Sequence, residues 1–158
     1  MATQEQLNFL ASAAKSAKLA GHIWPGMAAC EAALESTWGS SELALKAHNL
    51  FGAKQQIHPV YGTLHLPTRE FLNGEWVTED AEWCEYPDYA TSFHERMNTL
   101  RRLAGSFPHY AAALAAATPE VYVSQVSLSW STDPLRAEKC IEISGAHADT
   151  ISAALQSA

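Results

Sequence analysis

Between Gln55 and Tyr86 the chain changes texture. Helical periodicity on either side gives way to the β-formers Ile57, Val60, Tyr61, Leu64, Leu66, Phe71, Trp76, Val77 and Trp83, spaced by Pro59, Gly62, Pro67 and the pair Asn73-Gly74. Asn-Gly between two such runs is a strong signal for a two-residue hairpin turn, because both residues tolerate positive φ. A small antiparallel sheet, mostly residues 64–85, is therefore expected within an otherwise helical chain. The fold class that follows is α+β, mainly helical, with one inserted β-hairpin.

The helical parts carry their own punctuation. Thr3 and Gln6 form a capping box ahead of Leu7, Leu10, Ala11, Ala14 and Ala17, so residues 4–20 read as an amphipathic helix that Gly21 ends. Pro25 opens a second helix through Met27, Ala28, Ala32 and Leu34, expected to end near Trp38-Gly39 with Glu35 on its last turn. Ser40 or Ser41 caps a short third helix through Leu45. Beyond Asp88, Phe93, Met97, Leu100 and Leu103 restore the helical period, and an alanine-rich stretch follows at 110–117. Thr118-Pro119-Glu120 and Thr132-Asp133-Pro134 each place a capping side chain before a proline, so a helix is expected to start at each, and Gly145 is expected to break or kink the last. With no repeat and no linker, and with 158 residues to build one core, residues 1–158 are expected to form a single domain.

Charge and composition remove several functions. A formal net charge of -7 gives no electrostatic footprint for nucleic acid. The longest uncharged run, Leu103 to Pro119, contains Gly105, Pro108 and His109 and is too short and interrupted to span a bilayer. At the N-terminus Glu5 precedes the apolar stretch and Lys15 and Lys18 follow it, the wrong order for a secretory signal, so no export address is expected. Cys30, Cys84 and Cys140 form no CxxC pair and read as reduced, buried thiols. None of the seven histidines pairs at i, i+4, and neither HExxH nor a phosphate-cradling glycine loop occurs, so no metal and no cofactor are expected.

Carboxylates remain. Glu35 has apolar neighbours in Ala32, Ala33, Leu34 and Trp38. A carboxyl against apolar and aromatic surface has its charged form disfavoured and can donate a proton near neutral pH, as a glycosidase acid must. The competing reading is a glutamate at a helix end, bonded to the turn that follows.

The segments Ala33-Leu34-Glu35-Ser36-Thr37-Trp38-Gly39 and Asn49-Leu50-Phe51-Gly52-Ala53-Lys54 resemble the two signature segments of the bacterial glucosaminidases of glycoside hydrolase family 73. The resemblance continues through Thr68-Arg69-Glu70-Phe71-Leu72-Asn73-Gly74-Glu75, Trp83-Cys84-Glu85-Tyr86, Tyr110-Ala111-Ala112 and Trp130-Ser131-Thr132-Asp133-Pro134, and covers roughly residues 25 to 145. It implies a lysozyme-like helical lobe, a β-hairpin lobe and a cleft between them. It also implies hydrolysis of the β-1,4 bond after N-acetylglucosamine in the glycan strands of peptidoglycan.

On this resemblance Glu35 is the general acid and Glu70 the second acidic residue. Glu70 would activate a water across a carboxyl separation of about 6.5–9.5 Å, or orient a reacting acetamido group. Glu75, Glu79, Asp80, Glu82 and Glu85 are alternatives for that second role. Asn49, Phe51, Tyr61, Trp76, Tyr86 and Trp130 are the candidate substrate contacts, since sugar rings stack their C–H faces on flat side chains. For Phe51 and Trp38 core packing is the competing reading, and for Asn49 a turn-fixing role. Two departures stand out: Trp130 replaces the family's usual tyrosine, and Cys84 replaces its arginine. A muramidase or lytic transglycosylase, and a non-catalytic wall-binding module, are the alternative functions. The expected setting is a monomeric phage or prophage lysin that reaches the wall by release or injection.

Overall fold

The computed structural model describes residues 1–158. Its helices α1 (Gln4–Leu19), α2 (Pro25–Glu35) and α3 (Glu42–Ala47) precede a hairpin of β1 (Gly62–Leu72) and β2 (Glu75–Glu85). Five more helices follow: α4 (Tyr89–Leu103), α5 (Pro108–Leu114), α6 (Pro119–Trp130), α7 (Arg136–Ala146) and α8 (Ala148–Gln156). The mainly helical α+β class is as the sequence predicts.

Helix α2 is the centre of the helical lobe, packed by α1, α6, α7 and α8. Every residue from Met27 to Ala33 is buried. Alanines at 28, 29, 32 and 33 let the surrounding helices approach closely, the apolar stripes of α1 (Leu10, Ala13, Ala14, Ala17) and α6 (Tyr122, Val123, Val126) close over it, and that of α4 (Phe93, Met97, Leu100) joins the same core from its packing on α1. Cys30 on α2 and Cys140 on α7 are among these buried residues, and burial pushes both thiols up to about 12.

Caps follow the predicted chemistry at most ends. Thr3 and Gln6 complete the capping box of α1, Ser41 caps α3, and Thr118 caps α6. Three boundaries differ from expectation. Helix α2 stops at Glu35 rather than near Trp38-Gly39, because Thr37, Trp38 and Gly39 all take positive φ and cannot continue it. Helix α7 starts at Arg136: Asp133 instead caps the turn before it, accepting from Leu135 N at 2.9 Å. The break expected at Gly145 falls at His147, between α7 and α8.

The hairpin closes through Asn73 (φ 51°) and Gly74 (φ 80°), the double left-handed turn that the dipeptide predicts. Leu72 pairs with Glu75, and the register runs without a bulge to Gly62 and Glu85. Period-2 alternation gives the hairpin two unlike faces. Leu64, Leu66, Thr68, Glu70, Val77, Ala81 and Trp83 form a half-buried face, whereas Arg69, Phe71, Trp76, Asp80 and Glu82 lie on the exposed one. At the base, residues 53–55 join the sheet edge: Gln55 N donates to Glu82 O, and Cys84 N to Ala53 O.

Candidate active site

Glu35 ends α2 with its side chain 29% exposed. Ser36 secures the turn that follows, its hydroxyl donating back to Ala32 O at 2.6 Å and accepting from Gly39 N at 2.9 Å. The apolar surround expected of Glu35 is not what the structure places there. Arg136 Nε donates to Glu35 Oε1 at 2.8 Å.

That arginine belongs to a buried ion cluster assembled from four helices. One turn before Glu35, Glu31 is fully buried and accepts from both terminal nitrogens of Arg96, Nη1 at 3.1 Å and Nη2 at 2.7 Å. Arg136 Nη2 donates to Glu31 Oε2 at 2.8 Å, and the Tyr122 hydroxyl donates to Oε1. Burial works against the charge of Glu31, but Arg96 and Arg136 beside it prevail and hold its carboxyl at about 2. A buried charge persists only when paired and hydrogen-bonded, and these partners meet that demand. Burial and the Arg96 charge hold neighbouring His22 neutral, down at about 4.

Arg96 carries the cluster to an open cavity of about 260 Å³. Its guanidinium lies 4.5 Å from the Phe51 ring centroid and 4.2 Å from that of Trp130. Both rings line the cavity, together with Lys54, Tyr86, Glu95 and Arg102. Of the predicted substrate contacts, Phe51, Tyr86 and Trp130 thus share one cavity. Tyr61 stands beside it, 5.2 Å from the Tyr86 ring and with its hydroxyl on Glu95 at 3.2 Å. Phe51 and Trp38 also pack with the core, as their competing reading had it.

Two predicted contacts lie elsewhere. Asn49 is 1% exposed, and its amide donates to Ala53 O and Cys84 O while its oxygen accepts from Ala53 N. With donors and acceptor used to clamp the 49–53 loop onto β2, it makes the contacts of its competing, turn-fixing reading. Trp76 stacks with Phe71 and Arg69 near the hairpin tip, on the face opposite Glu70. Glu70 itself is on the half-buried face, 3.5 Å from Lys54 Nζ. Lys54 also lines the cavity, so it links Glu70 to the cavity wall. Glu75 and Glu79 share the face of Glu70, whereas Asp80 and Glu82 point the other way. Cys84 meets the loop at the base, its backbone N donating to Ala53 O and its thiol 3.5 Å from both Lys54 O and Gln55 Oε1.

Sequence reasoning missed Glu31, Arg96, Arg136 and Glu95. A signal for the first was present: a second glutamate, one turn before Glu35, inside a run of alanines and a cysteine demands a buried cation.

Comparisons with known proteins place the chain by family and fold. A probable N-acetylmuramidase of Lactococcus lactis subsp. lactis is 32% identical over 141 residues, covering 84% of this chain and 30% of that protein. The chain thus spans about a third of the length of the curated relatives it matches. Among solved structures, the catalytic domain of the autolysin Auto of Listeria monocytogenes shares the fold with a TM-score of 0.80 at 24% identity, covering 95% of this chain and 88% of that one. A C-terminally truncated glycoside hydrolase domain of Salmonella typhimurium FlgJ superposes with a TM-score of 0.71 at 27% identity, over 91% of this chain and 98% of that one. The helical lobe with its hairpin is therefore the fold of these hydrolase domains, as the lysozyme-like expectation had it. The family model described as mannosyl-glycoprotein endo-beta-N-acetylglucosaminidase matches residues 11–148, and the chain belongs to this glucosaminidase family of glycoside hydrolases.

Proposed function

We propose that the chain cuts peptidoglycan glycan strands at the β-1,4 bond on the reducing side of N-acetylglucosamine, with Glu35 protonating the leaving oxygen. The observation that carries this reading is the placement of Glu35. It is a partly exposed carboxyl at the end of a buried helix, bonded to Arg136 of the ion cluster whose other arginine, Arg96, lines an aromatic-walled cavity that Glu35 itself does not line. Glycosidic oxygen leaves poorly unless protonated as the bond breaks, and sugar rings need flat apolar walls; Glu35 and the Phe51, Tyr86 and Trp130 rings supply the two. Glu70, tethered to the cavity wall through Lys54, is the proposed second carboxylate. The segment acts as one catalytic unit around one core. Its setting in a monomeric phage or prophage lysin is part of the proposal and rests on the sequence reading alone.

A muramidase is the second reading, favoured by the name of the Lactococcus relative. Digestion of purified peptidoglycan followed by mass spectrometry separates the outcomes. Reducing N-acetylglucosamine ends support the proposal, reducing N-acetylmuramic acid ends a muramidase, anhydro ends a transglycosylase, and no product a binding module. In the same assay Glu35→Gln is expected to lose at least ~100-fold in rate with its fold intact. Glu70→Gln is expected to be more damaging than Glu75→Gln or Glu79→Gln. A folded Glu35→Gln protein of near-native rate would sink the assignment.

A further inference from the structure

Resting on that reading of Glu35, we propose that Arg136 is a positioning residue: it fixes which oxygen of Glu35 carries the proton and stabilises the carboxylate left when the proton departs. Arg136 is 1% exposed and uses all three of its nitrogens. Nε donates to Glu35 Oε1 at 2.8 Å, Nη2 to Glu31 Oε2 at 2.8 Å and Nη1 to Ser127 Oγ at 2.9 Å. Glu31 is in turn gripped by Arg96 and Tyr122, so the guanidinium is fixed from α2 and α6 at once.

The consequence is chemical. A guanidinium has five N–H donors and no acceptor, so the oxygen facing it accepts, and the carbonyl oxygen, the better acceptor of a protonated carboxyl, is the one favoured there. The acidic proton of Glu35 then sits on Oε2, which has no partner within the chain and belongs to a side chain that reaches solvent. When the C1–O bond of the glycoside breaks, its electron pair stays on the leaving oxygen, and that oxygen takes the Oε2 proton. The O–H electron pair remains on Glu35. Water adds at C1 and releases its own proton to the second carboxylate or to solvent.

During this step the Nε–H···Oε1 contact changes from a cation facing a neutral acid into an ion pair. The attraction grows as charge develops on the carboxyl, so the interaction favours the transition state over the ground state. Formal charge agrees: with Glu35 ionised, two glutamates face two arginines in the cluster.

Arg136→Met, made in the native and in the Glu35→Gln backgrounds, tests this with kcat, KM and thermal melting read in parallel on soluble glycan strands. The expected result is a kcat at least ~10-fold lower with KM nearly unchanged, and no further loss when Glu35 is already glutamine. Equal losses in both backgrounds indicate a merely structural arginine and overturn the proposal, as does native kcat in folded Arg136→Met. If Arg136→Met does not fold, Arg136→Lys retains the charge but not the fork that serves Glu31 and Glu35 together. It must then show a lowered kcat that vanishes in the Glu35→Gln background, and native kcat or a persistent loss overturns the proposal. An inactive Glu35→Gln beside a fully active Arg136→Met defeats this inference alone. A fully active Glu35→Gln defeats the assignment of Glu35 beneath it.

Discussion

Trp130 presents its ring to the Arg96 guanidinium at 4.2 Å, meets Phe51 edge-on at 6.2 Å and Tyr110 at 6.1 Å, and still lines the cavity. One side chain thus helps shield a buried cation and offers a wall to a sugar. A cation over an aromatic face contributes roughly 0.5–2 kcal/mol, more as water is excluded, and tyrosine retains such a face while alanine does not. Trp130→Tyr is therefore expected to change kcat/KM by less than about 1 kcal/mol equivalent, whereas Trp130→Ala loses both thermal stability and substrate affinity. A clear rise in turnover for Trp130→Tyr would show instead that a hydroxyl is wanted at this position. An alanine variant that only melts earlier, with unchanged affinity, would place Trp130 in the core alone.

At the scale of elements, the turn after α2 decides where Glu35 stands. Thr37 (φ 52°), Trp38 (φ 56°) and Gly39 (φ 77°) form a left-handed run that stops the helix at Glu35. Gly39 has no substitute, because a Cβ there would lie 2.3 Å from the Phe9 ring. Thr37 is exposed and β-branched, and the left-handed region costs such a residue about 1–2 kcal/mol. Thr37→Gly removes that strain against an entropic penalty of roughly 0.5–1 kcal/mol. Its melting temperature is expected to rise by about 2–4 °C, and a fall would show that the threonine is not strained. The hairpin was readable from Asn73-Gly74 because its determinants are neighbours in sequence. The end of α2 was not, because the apolar period continues through Trp38 while the backbone turns away. The ion cluster was less readable still: Glu31, Arg96, Tyr122 and Arg136 meet only after four helices have packed. Nothing local to Arg96, on the stripe of Phe93, Met97 and Leu100, says which carboxylate it will meet.

For the molecule as a whole, the same cluster ties stability to pH. His22 is buried beneath Arg96, its Nε2 3.5 Å from that guanidinium, between the rings of Phe93 and Tyr122 and near Glu31. Burial, then the Arg96 charge, lower it from 6.5 to about 4, so between these values the unfolded chain binds a proton that the folded one refuses. Stability therefore rises with pH across that window and is lost as pH falls through it, by roughly 3 kcal/mol at most for a shift of this size. Glu31 acts in the same direction further down. Held at about 2 against an unfolded value of 4.5, it contributes stability that is complete above 4.5 and disappears as the carboxyl is protonated. Denaturant midpoints are accordingly expected to be highest near neutrality, to drop between pH 6.5 and 4, and to drop again below 4.5. His22→Asn should flatten the first decline without touching the second. A native protein whose midpoint stays level from pH 6.5 to 4 would mean that His22 accepts its proton in place, and that the cluster around Arg96 opens to water far more readily than its packing indicates.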